Sequence, residues 1–250
     1  MSTPHSSEAV VLRMVNYSDT SLIVRLFTEL YGKVTVIAKG ARRIKQGVVG
    51  LLQPPNHLAV WYHHKEQRDV QNLAKSEFVE RYPRLAGQLP KSAAAMVAIE
   101  MLDRAVQDSD PHPLIFRLIT STLRRLDQLD GEERTVLHFF QLHLARQLGF
   151  APHFHACERC GRTLSSATMN GATGRLLCTQ CQPRDTIRIS GPALKHLQDL
   201  TATHISQLQT LSPADKASRE VGDFLLQHLF YHVDGMRNLR SIKFWERVSA

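Results

Sequence analysis

Apolar and polar positions alternate with a period of two in short runs along the first third of the chain: AVVLRMV at 9–15, SLIVRLFT at 21–28, KVTVIAK at 33–39, HLAVWYH at 57–63, and a weaker run at 69–79. That period sends successive side chains to opposite faces, so each run predicts a strand with one face buried. Turn signals, Tyr31-Gly32 and Pro54-Pro55-Asn56, separate the runs. Five short strands in about 75 residues predict a small antiparallel barrel, of which the OB-fold is the familiar five-stranded type.

After Arg81-Tyr82-Pro83 the period becomes helical. Residues 90–107 place Ala94, Val97, Ala98, Met101 and Leu102 on one face, and residues 111–129 do the same with Leu114, Leu118, Ile119 and Leu126. A third helix is expected to start at Asp130 as N-cap, with Glu133 closing a capping box, and to stop at Gly149. Ser190-Gly191-Pro192 opens a fourth to about 203, and Ser212-Pro213 a long fifth to Asp234-Gly235. The expected class is α+β: an OB-fold barrel over 1–82, then a mainly helical domain over 83–250. No Pro/Gly/Ser linker divides the two, so they are expected to pack together.

The helical pattern is interrupted where all four cysteines fall: Cys157-Glu-Arg-Cys160, 17 residues, then Cys178-Thr-Gln-Cys181. This spacing is that of two knuckles presenting four thiolates to one ion, so a closed structural zinc site is expected in an insertion at about 153–188. The same thiolates suit an iron cluster, and spacing does not separate the two. Gly161 stands where the first knuckle's exit tolerates positive φ, whereas Gln182 follows the second. Four cysteines fill a tetrahedron and leave no open position for catalysis. His153 and His155, just before the first knuckle, are expected at the surface or around the ligands.

Composition adds a partner class. With 31 Lys and Arg against 23 Asp and Glu the formal charge is +8, which favours polyanions. The first residues carry no basic segment followed by an apolar run, and no stretch approaches 18 apolar residues, so a cytoplasmic protein without a membrane partner is expected. Six basic residues lie between Leu30 and Lys65, namely Lys33, Lys39, Arg42, Arg43, Lys45 and Lys65 itself, and no acidic one. A basic connection leaving the third strand suits phosphate contact, the alternative being a solvated loop. Tyr31, Trp61 and Tyr62 either stack on bases or fill the barrel, and alternation sends one of the adjacent pair inward. His63 and His64 read as surface residues at a strand end. The cluster Arg237, Arg240, Lys243 and Arg247 surrounds Leu239, Ile242, Phe244 and Trp245. It is either a cationic rim on an apolar patch, fit for an acidic peptide with an apolar end, or a last helix packed by its apolar side. No phosphate loop, nucleophile elbow or H-E-x-x-H occurs. His64-Lys-Glu66 with Cys157-x-x-Cys160 superficially matches a zinc deaminase, but leaves the second cysteine pair unexplained.

Residues 19–28 (DTSLIVRLFT), Tyr31-Gly-Lys33 and Ala38-Lys-Gly-Ala-Arg-Arg43 resemble the N-terminal barrel of the RecO recombination mediators. Leu148-Gly-Phe-Ala-Pro152, Cys157-x-x-Cys160-Gly161 and Leu239-Arg-Ser-Ile-Lys-Phe-Trp245 resemble the later parts of that family in the same order. The resemblance implies a non-enzymatic protein that binds single- and double-stranded DNA and anneals complementary strands. It also implies partnership with RecR to load RecA, and with the acidic C-terminal tail of single-stranded DNA-binding protein (SSB), at the bacterial nucleoid. Candidate DNA contacts are Arg25, Lys33, Lys39, Arg42, Arg43 and Lys45; candidate tail contacts are Arg237, Arg240 and Lys243. An RNA-binding protein built from the same barrel and ribbon is the alternative.

Overall fold

The computed structural model describes residues 3–43, 48–170, 174–182, 186–211 and 213–249. Two compact units follow one another, Met1–Asp127 and Gln128–Ala250. Among the described residues no helix is long and apolar enough to cross a membrane.

The first unit is built on a closed barrel of β1 (Thr3–Asn16), β2 (Leu22–Thr28), β3 (Gly32–Ala38), β4 (His57–His64) and β5 (Val70–Glu80), in the order β1-β2-β3-β5-β4. These are the five runs of period two. The pairings are antiparallel except for β3 with β5, which is parallel, so the barrel is not antiparallel throughout. A short helix α1 (Val48–Leu51) follows β3, and β4 returns beside β1; β5 is left to close the ring against β3. Val11, Leu22, Val24, Leu26, Val36, Leu58, Val60 and Tyr62 fill the barrel. Alternation sends Tyr62 inward, 1% exposed, while its neighbour Trp61 stays half-buried on the outside under the Lys75 ammonium, 5.0 Å from the ring centroid.

Helices α2 (Pro83–Gly87), α3 (Leu89–Ala105) and α4 (Pro113–Gln128) belong almost wholly to the same unit. Phe116 of α4 packs against Phe27 and His57 of the barrel, with centroids 6.0 and 5.7 Å away. The buried face of α4 is Ile115, Phe116, Ile119, Leu123 and Leu126, and Leu114, expected on it, is 53% exposed. The face is therefore rotated towards the phenylalanine that meets the barrel.

The second unit packs α5 (Glu133–Gln147) against α6 (Gly191–Ala202) and α7 (Asp215–His232), with α8 (Arg240–Val248) last. Helix α5 does not start at a capping box on Asp130. Gly131 turns the chain at φ 75°, and Glu132 takes the cap position without a side-chain cap bond. Its end follows the expected stop: Gly149 has φ 86°, its N–H donates to Arg146 O, and Phe150 N–H donates to Ala145 O, a Schellman closure. Ser190 caps α6 as expected, accepting from Ala193 N–H; α7 begins at Asp215, and Ser212 lies outside the described residues. Between α5 and α6 sits a three-stranded sheet of β6 (Ala167–Asn170), β7 (Leu176–Leu177) and β8 (Thr186–Ile189), in the order β7-β6-β8.

Candidate metal centre and nucleic-acid interface

The inserted sheet carries the thiols. At the first knuckle Gly161 N–H donates to Cys157 O at 2.8 Å, and Gly161 adopts φ 72°, as its position after the pair requires. At the second, Cys181 N–H donates to Cys178 O at 3.0 Å. Glu158 ties the two together: its N–H donates to Leu176 O, and its carboxylate accepts from Leu176 N–H, both at 3.0 Å. The four sulfurs lie within 4.8 Å of one another. A tetrahedral ion with metal–sulfur bonds of about 2.3 Å requires sulfur pairs about 3.8 Å apart, and Cys160 Sγ and Cys178 Sγ are 3.8 Å apart. The residues therefore fit a metal ion. Burial alone would raise the Cys157 thiol, but backbone hydrogen bonds at Cys178, Arg159 and Cys160 hold it down at about 6. The Cys181 thiol is pushed up to about 12, first by its hydrogen bond with Cys160 and then by burial. Four thiolates at this range repel, and need a cation between them to ionise together.

The fourth position is a cysteine, so no site is open for substrate water. His153 and His155 are exposed. The ribbon is fastened to its own unit by aromatic and polar contacts. Phe154 is buried edge-on against Phe224 of α7 at 6.0 Å, and His228 of α7 donates to Phe150 O at 2.6 Å. Gly174 has φ 65°, and a Cβ there would lie 2.9 Å from the His232 ring, so the ribbon meets α7 through a position only glycine fills well.

The candidate DNA contacts separate into two groups. Lys33 is 6% exposed; its Nζ donates to Asp103 O and Val106 O at 2.8 Å each and pairs with the Asp103 and Asp108 carboxylates. It caps the C-terminal carbonyls of α3, where a cation also complements the helix dipole. Arg25 donates to Asp108 Oδ1 at 2.7 Å and lies 3.4 Å from Asp103. Partial burial would raise the Asp108 carboxyl, yet the Arg25 and Lys33 contacts hold it below the usual range. Lys33 serves the interior of the unit and Arg25 is engaged in ion pairs near its surface, and both are left out of the contact set proposed below.

Lys39, Arg42 and Arg43 are exposed where the chain leaves β3. Gly40 turns the chain at φ 69°, and Arg43 N–H donates to Gly40 O at 2.9 Å. Arg42 is anchored to the β1–β2 loop twice, its backbone N–H to Thr20 O and its guanidinium to Ser18 O, both at 3.1 Å. The basic connection thus stands beside the loop that in OB-folds borders the nucleic-acid face. Tyr17 on that loop is 64% exposed, and Arg68 lies on the β4–β5 loop. Neither is singled out by the strand pattern; the signal available was their place between strands 1 and 2 and between strands 4 and 5. Lys45 lies outside the described residues.

In the second unit Arg237, Arg240 and Lys243 are exposed around α8, whose Ile242 and Trp245 are buried while Phe244 is 46% exposed. The last helix packs by its apolar side and still presents a cationic rim.

The family model described as "Recombination protein O N terminal" matches residues 1–82, and that described as "Recombination protein O C terminal" matches residues 86–241. A DNA repair protein RecO of Salinibacter ruber is 31% identical over 228 residues, covering 91% of this chain and 88% of the relative. One of Geobacter sulfurreducens is 35% identical over 180 residues, covering 71% and 73%, and one of Alkaliphilus metalliredigens 26% over 245, covering 97% and 98%. With the two models lying in order along nearly the whole length, the chain belongs to the recombination protein O, or RecO, family.

Proposed function

We propose that this chain is a DNA repair and recombination protein that binds and anneals DNA strands without catalysing a covalent step. The observation that carries the reading is the exposed set Lys39, Arg42 and Arg43, with Arg42 anchored to the β1–β2 loop, in a stretch without acidic residues. Lys45, two positions further along the sequence, is included as a candidate by its sequence alone. Annealing suits such a surface: neutralising phosphates on two strands lowers their repulsion, and base pairing between the strands does the rest. In the cell the protein works on nucleoid DNA in the cytoplasm and, with RecR, helps RecA load onto SSB-coated strands. The acidic, apolar-ended tail of SSB seats at α8, with Arg237, Arg240 and Lys243 meeting its carboxylates. A hollow of about 270 Å³, whose lining includes Ile242 and Trp245, the cations Arg134 and Arg219 and the carboxylates Asp223 and Glu246, receives its apolar end. Zinc is the ion that four thiolates in a closed tetrahedron suit best, and its role is structural.

The test is timed annealing of complementary strands, bare and SSB-coated, alongside binding to DNA and RNA of equal sequence. Affinity for single-stranded DNA is expected to fall with salt by a slope of about −0.7 per phosphate neutralised. Salt-insensitive binding, or none, defeats the reading; a clear preference for RNA replaces it with the RNA-binding one. Glu66→Gln is expected to leave annealing intact, which a deaminase using that carboxylate would not survive.

A further inference from the structure

The first unit holds a second feature that phosphate contact does not use. His5 of β1 stacks on Tyr31 at 4.1 Å with planes 9° apart, and on His64 of β4 at 4.7 Å and 5°. Two rings at those distances cannot share one face of a third, so His5 is sandwiched and the three form a column. Tyr62 stands edge-on to both His5 and Tyr31, at 5.4 and 6.1 Å, and its hydroxyl lies 3.3 Å from His5 Nδ1. A buried phenol therefore holds the middle ring in place, while Tyr31, His5 and His64 are only half-buried.

The column borders a cavity of about 560 Å³, within the range of small-ligand sites. Its lining sets two cations, Lys33 and Arg68, against three carboxylates, Glu66, Asp69 and Asp108. Lys33 in the wall is held by Asp103 and Asp108, and on the rim Arg68 stands in the same loop as Glu66 and Asp69. A phosphate gains little there, whereas a flat uncharged ring gains a stacking face and polar edges. Leu30, 56% exposed, adds apolar surface at the mouth. We infer that this cavity takes one unpaired nucleobase of a bound single strand, stacked on the end of the Tyr31–His5–His64 column. The inference rests on the DNA-binding reading and adds to it a contact that depends on the base, not on charge.

The test compares an all-thymidine oligomer with an abasic oligomer of the same length and phosphate number. Wild type is expected to bind the first at least about fivefold more tightly, the lower end of what one stacked base gives. Tyr31→Ala with His64→Ala should bring that ratio close to one while the salt slope stays unchanged. Tyr31→Phe with His64→Phe, which keeps the flat faces, should restore it. Thr35→Trp fills the cavity from β3 and leaves the three column residues unchanged in identity, so it should lower the ratio even where the alanine pair does not fold. Tight binding with a ratio near one in wild type, or a ratio indifferent to both the alanine pair and Thr35→Trp, overturns the inference and leaves the DNA-binding reading standing. Binding to neither oligomer overturns both.

Discussion

The thiol ribbon of the second unit and the basic rim of the barrel in the first differ in how much of their chemistry the fold consumes. In the ribbon every thiol points at its three partners within 4.8 Å, and the backbone around them is closed by turns and by Glu158. On the rim, the Arg42 guanidinium is held by one carbonyl, and Lys39, Arg42 and Arg43 keep exposed side chains. Residues that satisfy one another hold structure; residues held in position but left exposed are available to a partner. The same contrast recurs inside the barrel unit, between Lys33 and Arg43. The experiments below probe it in order of expected effect.

Removing the proposed metal should act most strongly. Structural zinc sites in small peptides contribute roughly 10 to 16 kcal/mol of apparent binding energy, coupled to folding. Chelation, or Cys160→Ser, is expected to loosen the ribbon and lower the thermal stability of the second unit, with DNA affinity close to wild type. Unfolding followed by circular dichroism with and without chelator checks the first part and a binding titration the second. Unchanged stability would remove the structural role; a parallel loss of DNA affinity would erase the contrast between the regions.

Lys33→Met tests the cation the fold has consumed. It strips two carbonyls at the end of α3 of their buried donor, each unsatisfied group costing roughly 1 to 3 kcal/mol, and leaves the Asp103 and Asp108 carboxylates to Arg25 alone. The expected result is a large drop in the urea midpoint, while whatever folds retains its DNA affinity. A stable variant that has lost DNA binding would return Lys33 to the contact set.

Acid should separate the units by another route. Burial, then His196 and Arg134, lower the His138 pKa to about 3, and burial lowers that of His228 to about 4 against the opposing bond to Phe150 O. Unfolded, both titrate near 6.5. As pH falls below 6.5 the unfolded chain binds protons that the folded chain refuses, so stability declines until the pH reaches each folded pKa and then levels off. At pH 5 this amounts to about 2 kcal/mol for each histidine. His228→Gln keeps a donor for Phe150 O and cannot titrate; it should flatten the loss between pH 7 and pH 5 by about that amount, measured by denaturant unfolding. An unchanged slope would mean that His228 is already solvated when folded.

What the sequence carries and what it withholds follow from the range of the interactions. The five strands and the thiol site were legible because their signals are local: a period of two, and two C-x2-C pairs 17 residues apart. The change of period at Pro83 marks where strands give way to helices, whereas compactness runs on to Asp127 because Lys33, Phe27 and His57 tie α3 and α4 to the barrel. Lys33 looked like its neighbours Lys39 and Arg42 because the carbonyls it caps come 70 and 73 residues later. The column of Tyr31, His5 and His64 was hidden for the same reason, being assembled from β1, the β2–β3 turn and β4. Asp130 offered a good capping pattern, but Gly131 turns the chain and moves the cap to Glu132.

The smallest structural effect and the most specific functional one should come from Arg42→Ala with Arg43→Ala. Both side chains are exposed, and the contacts that shape the connection, Arg42 N–H to Thr20 O and Arg43 N–H to Gly40 O, belong to the backbone and survive the change. Only the guanidinium bond to Ser18 O is lost, an exposed contact whose removal is expected to move stability by no more than about 0.5 kcal/mol. If each arginine neutralises one phosphate of a single strand, the salt slope should become shallower by about 1.4 for the pair, and affinity at low salt should fall for every sequence alike. An unchanged slope would place the phosphates elsewhere on the barrel, and a slope change limited to some sequences would make these arginines readers of bases. A collapse in thermal stability would show that the rim, like Lys33, belongs to the part of the fold whose chemistry is already consumed.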